Sequence, residues 1–105
     1  MHDLRRLADY ADVHRLPLAM HGNGGGLATI AAAHVAVASR TFLGLEYHFI
    51  ETPWLSGYVR RVGAMGETRL FDEGHIVLDN APGLGVELDA QVCTANLAPG
   101  AMLFD

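Results

Sequence analysis

Two residues in this sequence have the type and the position needed for proton-transfer chemistry. His21 directly follows the apolar run Leu16–Met20, and Glu46 lies near the end of a second apolar run, Phe42–Tyr47. Histidine is well suited to moving protons near neutral pH, and a carboxylate at the end of an apolar strand is costly to bury without a partner. If both runs are parallel strands, their carboxyl ends meet at one rim, so the sequence predicts a shared site there.

A glycine cluster, Gly22–Gly26, separates the histidine from the next helical segment. Its spacing departs from the G-x-G-x-x-G dinucleotide fingerprint because Leu27 occupies the third glycine position. The chain also contains no lysine that a phosphate-binding loop would use. Two interpretations remain: a tight turn that needs glycine conformations, and an anion-binding loop at a helix N-terminus.

Two helices are expected to position these strands. The segment Asp3–Arg15 has apolar residues near helical spacing, with Asp3 as the expected N-cap. Pro17 cannot continue that helix. The alanine-rich segment Leu27–Ser39 predicts a second helix. The apolar positions expected to face the core in the first helix are Leu4, Leu7, Ala8, Ala11 and Val13.

The order helix, strand, helix, strand with short connections is typical of a parallel α/β sheet. Leu16–Met20 is almost wholly apolar, as expected of a parallel strand that is buried on both faces. In the second half of the chain, Glu51–Val62 suggests a broken helix and Thr68–Leu78 a hairpin around "DEG". The turn-rich "NAPGLGVELD" leads into a short strand, and the last dozen residues are expected to be irregular.

The composition of the chain argues against several classes of binding partner. A chain of 105 residues with a formal charge of −5 and scattered arginines is not expected to bind nucleic acid or a membrane surface. Cys93 is the only cysteine and the N-terminus lacks the apolar core of a signal peptide, so a cytoplasmic location is expected. The sequence also lacks paired metal-ligand motifs, so no metal site is predicted from this chain alone.

Three separated motifs carry a family resemblance. They are "PLAMHGNGGGLATIAAAHVAVAS", "FLGLEYH" and "DEGHIVLDNAPGLGVELD", in that order along nearly the whole chain. Together they resemble the C-terminal part of the mandelate racemase/muconate lactonizing enzyme family, within the enolase superfamily. The resemblance implies the last two βα units of a modified TIM barrel, followed by a tail that returns toward a capping domain.

The resemblance also implies roles for the two residues at the strand ends. His21 matches the histidine of the family's His-Asp dyad, and Glu46 matches the glutamate that hydrogen-bonds the substrate carboxylate. The implied chemistry is abstraction of the proton α to a carboxylate with Mg²⁺ as cofactor, in an acid-sugar dehydratase or a racemase. Substrate-binding positions are expected near these strand ends, at Gly22, Asn23, His48 and Trp54.

The family's metal ligands lie on earlier strands, and a whole barrel needs about 250 residues. We therefore expect a fragment that is inactive alone, with residues 1–62 as partial barrel and 63–105 as tail. Its expected partners are the remaining barrel and capping portions, a small carboxylate or sugar-acid substrate, and further copies in a homo-oligomer. Two alternatives remain open: a small non-enzymatic α/β domain that oligomerises and binds an anion at Gly22–Gly26, and nucleotide binding at the same loop.

Overall fold

The computed structural model of the chain describes residues 1–22, 25–47, 57–62 and 71–103. The chain divides into two compact units, Met1–Phe49 and Ile50–Asp105. The first unit contains, in order, α1 (His2–Val13), β1 (Leu18–Met20), α2 (Gly25–Val37) and β2 (Phe42–Leu45). The second contains β3 (Val59–Arg61), β4 (Phe71–Asp72), β5 (His75–Ile76), β6 (Val86–Leu88) and α3 (Ala90–Ala95). Within the described ranges, no helix has the length and apolar character needed to cross a bilayer.

The strands β1 and β2 pair in parallel, and α2 connects them, so the predicted parallel pairing is confirmed. The register places Ala19 opposite Gly44 and Met20 opposite Leu45. The register shifts once, between Leu18 and Ala19. Both strands are shorter than the apolar runs that predicted them: β1 begins directly after Pro17, and β2 ends at Leu45.

One face of this sheet packs on the two helices. Met20, which is 2% exposed, lies in a core cluster with small side chains of α1 and α2. That cluster consists of Ala8, Met20, Ala32, Val35 and Ala36, with Leu4, Leu18 and Leu45 packed against it. Because side chains alternate along a strand, Ala19 and Gly44 point to the opposite face.

The opposite face of the β1–β2 sheet is open. Ala19 on this face is exposed. The expectation that Leu16–Met20 would be buried on both faces is therefore wrong for the described residues. In this chain the helices cover a single face of the sheet. Part of the apolar surface of Leu16–Met20 is therefore left exposed.

The helix α1 differs from expectation at its start and in its buried stripe. Met1 is the N-cap, without a side-chain cap bond, and Asp3 lies in the first turn instead. The buried positions are Ala8 and Ala11, whereas Leu7 and Val13 are exposed. Ala8 joins the core cluster with residues of α2, its small side chain allows the two helices to approach closely, and Leu4 packs against the same cluster.

The second unit confirms the predicted hairpin in its described part. The strands β4 and β5 pair in antiparallel fashion, and the turn between them contains Glu73 at φ 45° and Gly74 at φ 80°. Two consecutive positive φ angles are typical of the type I′ turn, which matches the twist of a hairpin. The "DEG" sequence therefore closes this hairpin as expected.

The strand β3 was not predicted. It pairs in antiparallel fashion with β6, with Val59 opposite Leu88, so the expected broken helix is wrong for the end of Glu51–Val62 that the structure describes. The predicted short strand after "PGLG" is confirmed as β6. The helix α3 was not anticipated either. Asp89 caps it by accepting hydrogen bonds from the backbone N–H groups of Gln91 and Val92, at 3.0 and 3.1 Å.

Candidate active site

The backbone brings the two predicted chemical residues side by side at the carboxyl ends of β1 and β2. The N–H of Glu46 donates to the carbonyl oxygen of Met20 at 2.9 Å, which continues the pairing of the strands by one residue. Since Met20 and Leu45 face the helices, the next residues along, His21 and Glu46, belong to the open face. The rim predicted from the strand order is therefore present, and it carries both side chains.

The two side chains contact each other directly. Nδ1 of His21 lies 2.5 Å from Oε2 of Glu46, with the side chains 75% and 43% exposed. An ionised carboxylate can only accept a hydrogen bond, so Nδ1 carries the proton in this pair. The arrangement places an imidazole and a carboxylate in direct contact at the rim.

Gly22 is the third participant in this contact. Its backbone N–H donates to the same atom, Oε2 of Glu46, at 3.3 Å. Gly22 is buried, and a Cβ added to it would overlap the backbone carbonyl oxygen of Glu46. Sequence analysis placed Gly22 with the substrate-binding residues. In the structure, the contacts described for Gly22 are with Glu46. The sequence feature that marks this position is a glycine directly after the histidine.

The strand ends border an open concavity of about 490 Å³. Its lining is largely apolar, with His21 and Glu46 as its polar side chains. The apolar part of the lining comprises Ala19, Met20, Leu43, Gly44 and Leu45. A concave, mostly apolar surface with a few convergent polar groups is the usual form of a small-molecule site.

The remaining predicted site residues cannot be placed beside this pair. Asn23, His48 and Trp54 lie outside the described residues. The glycine cluster is described only in part: Gly25 begins α2 with φ 66°, and Gly26 is a buried residue of that helix. The second half of the cluster therefore forms the first residues of α2. The anion-binding role of the cluster stays a prediction.

The described residues do not form a metal site. Within them, His, Cys, Asp and Glu side chains do not gather in any group of three or more. Mg²⁺ prefers about six oxygen ligands in octahedral geometry, whereas the strand ends offer one carboxylate, whose Oε2 already accepts bonds from His21 and Gly22. The residues present therefore do not fit Mg²⁺ by themselves.

Comparison with known proteins adds family information to this geometry. The family model described as "Enolase C-terminal domain-like" matches residues 1–92. The whole chain is 36% identical to 24% of a D-xylonate dehydratase from Haloferax volcanii. An arabinonate dehydratase from Saccharolobus solfataricus is 29% identical over 87 residues, which are 79% of this chain and 20% of the relative. The chain thus spans a quarter or less of the length of these relatives.

A solved structure is similar as well. It is the crystal structure of a mandelate racemase/muconate lactonizing enzyme-like protein from Rubrobacter xylanophilus, with a TM-score of 0.77 and 38% sequence identity. The match covers 88% of this chain and 22% of that protein.

Proposed function

This chain belongs to the enolase C-terminal domain-like family of the enolase superfamily, and we propose that it forms the C-terminal part of the active site of an acid-sugar dehydratase. The observation that carries the proposal is the direct contact of His21 with Glu46 on the open face of a parallel strand pair. Homologues named as D-xylonate and arabinonate dehydratases support dehydration over the other reactions of the superfamily.

In this proposal, β1 and β2 are the last two strands of a modified TIM barrel. The parallel pairing through α2 and the helices on a single face support this assignment, because a barrel strand packs helices outside and faces the barrel interior on its other side. The open face would then be the barrel interior. Residues 1–62 would belong to the barrel and residues 63–105 to a tail that returns toward a capping domain.

His21 is the proposed proton-transfer residue. Dehydration of a sugar acid removes the proton on the carbon α to the carboxylate and expels the β-hydroxyl, which leaves as water after it gains a proton. The resulting enol then converts to the keto form. By the family resemblance His21 would move a proton in this sequence, and its ring lies at an exposed rim that a substrate can reach.

Glu46 has two proposed contacts. Its Oε2 atom holds the ring of His21 in the structure, and its carboxyl group would also meet the carboxylate end of the substrate, as the family resemblance implies. Asn23, His48 and Trp54 stay predicted substrate contacts.

Membership of the enolase superfamily implies Mg²⁺ in general. Because the described residues do not fit that ion, we propose that its ligands come from the rest of the complete enzyme. The substrate, a small sugar acid, would bind between both portions. We also propose a cytoplasmic location, which the lone Cys93 supports. The formal charge of −5 supports the proposal that neither nucleic acid nor a membrane is a partner.

A chimera tests the proposed function. The matching C-terminal quarter of the D-xylonate dehydratase from Haloferax volcanii is replaced by this chain, and the product is assayed for keto-acid formation from a panel of sugar acids. We expect turnover by the chimera and none by the isolated chain. A folded chimera that turns over no sugar acid would contradict the proposal, and turnover by the isolated chain would contradict the expectation that it is inactive alone.

An oligomer is the second candidate, favoured by exposed apolar side chains on α1. Leu7 and Tyr10 are 60% and 62% exposed, and Val13 is 79% exposed. A non-enzymatic domain would cover such a surface with further copies of itself. Sedimentation of the isolated chain separates the alternatives: a monodisperse, cooperatively unfolding oligomer favours the binding domain, whereas aggregation favours a portion of a longer enzyme.

A further inference from the structure

The helix α1 buries far fewer residues than α2, although the two helices are of similar length. Seven of the 13 residues of α2 are buried, whereas Ala8 and Ala11 are the buried residues among the 12 of α1. The helix α2 connects two parallel strands and contacts β2 as well as α1. The helix α1 leads into β1, and among the described residues it has no preceding strand to pack on. We attribute its low burial to that difference.

The two sides of the buried stripe on α1 differ in character. On one side, Arg5 and Asp9 form an exposed ion pair at 2.9 Å. On the other side, at about 100° per residue, Leu7 lies next to the buried Ala11 and is itself 60% exposed. The open concavity on this side, of about 380 Å³, is lined by Asp3, Arg6, Leu7 and Tyr10. One side of α1 is thus charged and paired within the helix, and the other exposes large apolar groups.

The strand β1 has a free edge in the described part of the chain, where it pairs with β2 alone. The N–H of Leu18 and the carbonyl oxygen of Met20 both bond to the neighbouring segment 41–46. Because successive residues of a strand direct their backbone groups to opposite sides, the N–H and C=O of Ala19 point away from β2. Pro17, two residues earlier, has no N–H to offer. Pairing at this edge would therefore centre on Ala19.

We propose that the free edge of β1 and the Leu7 side of α1 form one docking surface for a parallel β-strand from the part of the enzyme outside this chain. A helix that connects two parallel strands packs on both of them, so a strand preceding α1 belongs beside β1 and beneath α1. That strand pairs with the backbone of Ala19 and places apolar side chains against Leu7. The identity of the partner rests on the proposed function: the chain spans a quarter or less of its dehydratase relatives.

The backbone contact is tested by residue-resolved amide hydrogen exchange in the isolated chain and in the dehydratase chimera. The N–H of Leu18, which is bonded within the chain, serves as the internal reference. We expect Ala19 to exchange on the order of 100-fold faster than Leu18 in the isolated chain and at a comparable rate in the chimera. The same ratio in both proteins would overturn the proposal. Protection of Ala19 that rises with the concentration of the isolated chain would place a second copy at the edge and would also overturn it.

The side-chain contact is tested by Leu7→Ala in the same two proteins. We expect the thermal midpoint of the chimera to fall by roughly 5 °C, because a covered leucine is truncated there. The midpoint of the isolated chain should change much less, since Leu7 is exposed in it. Val13→Ala is the matched control, because Val13 is 79% exposed on the same helix and lies about 120° around it from Leu7. It should have little effect in either protein. Equal effects of Leu7→Ala in the chimera and the isolated chain would contradict the docking surface.

Neither measurement needs turnover, so the docking surface and the proposed function can fail separately. A folded chimera that protects Ala19 but turns over no sugar acid would contradict the proposed function and leave the docking surface in place. An active chimera in which Ala19 stays unprotected, or in which Leu7→Ala has no effect on the midpoint, would overturn the docking surface and leave the proposed function in place.

Discussion

Nδ1 of His21 lies 2.5 Å from Oε2 of Glu46 although 25 residues separate them in the chain. The helix α2 spans most of that distance and returns the chain to the same edge of the sheet, as in other parallel βα units. One crossover therefore assembles an imidazole and a carboxylate at an open rim.

Replacing His21 by asparagine should abolish most proton transfer. General acid–base catalysis contributes about 10²–10⁴-fold, so we expect kcat of the dehydratase chimera to fall within that range. The side chain of His21 is 75% exposed, so the thermal midpoint of the chain should change little. Steady-state kinetics and circular dichroism measure the two effects.

His75 offers a control for the loss of a histidine. It is exposed on β5, where Nδ1 contacts the backbone carbonyl oxygen of Glu73 at 3.0 Å. His75→Asn should leave kcat of the chimera unchanged. Equal losses of kcat in the two variants would show that the effect at His21 does not come from proton transfer.

Metal dependence should appear only in the assembled enzyme. The described residues do not gather the oxygen ligands that Mg²⁺ requires, so titration calorimetry of the isolated chain should show no saturable Mg²⁺ binding. The chimera should lose turnover in a chelator and regain it when Mg²⁺ is added back. Stoichiometric Mg²⁺ binding by the isolated chain, or turnover of the chimera that a chelator does not affect, would refute the proposal that the metal ligands come from the rest of the enzyme.

The core of the first unit should be sensitive to substitution at the buried positions of α2 and insensitive at its exposed end. Val35 is 4% exposed within the core cluster, whereas Val37 on the same helix is 74% exposed. Val35→Ala removes buried methyl groups and should lower the free energy of unfolding by roughly 2 kcal/mol. The same substitution at Val37 is the matched control, and urea unfolding measures both. Similar losses at the two positions would contradict the described packing.

The hairpin of the second unit depends on a left-handed residue. Gly74 has φ 80°, and a Cβ there would meet nothing within 4 Å. The cost of Gly74→Ala therefore comes from the backbone alone and should be about 1 kcal/mol in urea unfolding. Gly74→Asn should cost less, because asparagine tolerates this region better. If asparagine destabilises the chain as much as alanine does, the φ explanation is wrong.

The features that depend on local chemistry could be predicted from the residues alone. Apolar runs predicted β1 and β2, helical spacing and alanine content predicted α1 and α2, and "DEG" predicted the hairpin turn. Because the carboxyl ends of parallel strands share one edge, the strand order also predicted that His21 and Glu46 would lie at a common rim. These predictions depend only on residues that are neighbours in the chain and on the handedness and direction of the connection between β1 and β2.

The faces that are covered, and the close approach of the strand ends, depend on contacts between residues that lie far apart in the chain. Periodicity could not show that Ala8 and Ala11, and not Leu7, would be buried, since both sets lie near helical spacing. Nor could it show that β3 would pair with β6, because the pairing depends on residues far along the chain. The requirement for Gly22 arises in the same way: the carbonyl oxygen that excludes a side chain there belongs to Glu46, on the neighbouring strand.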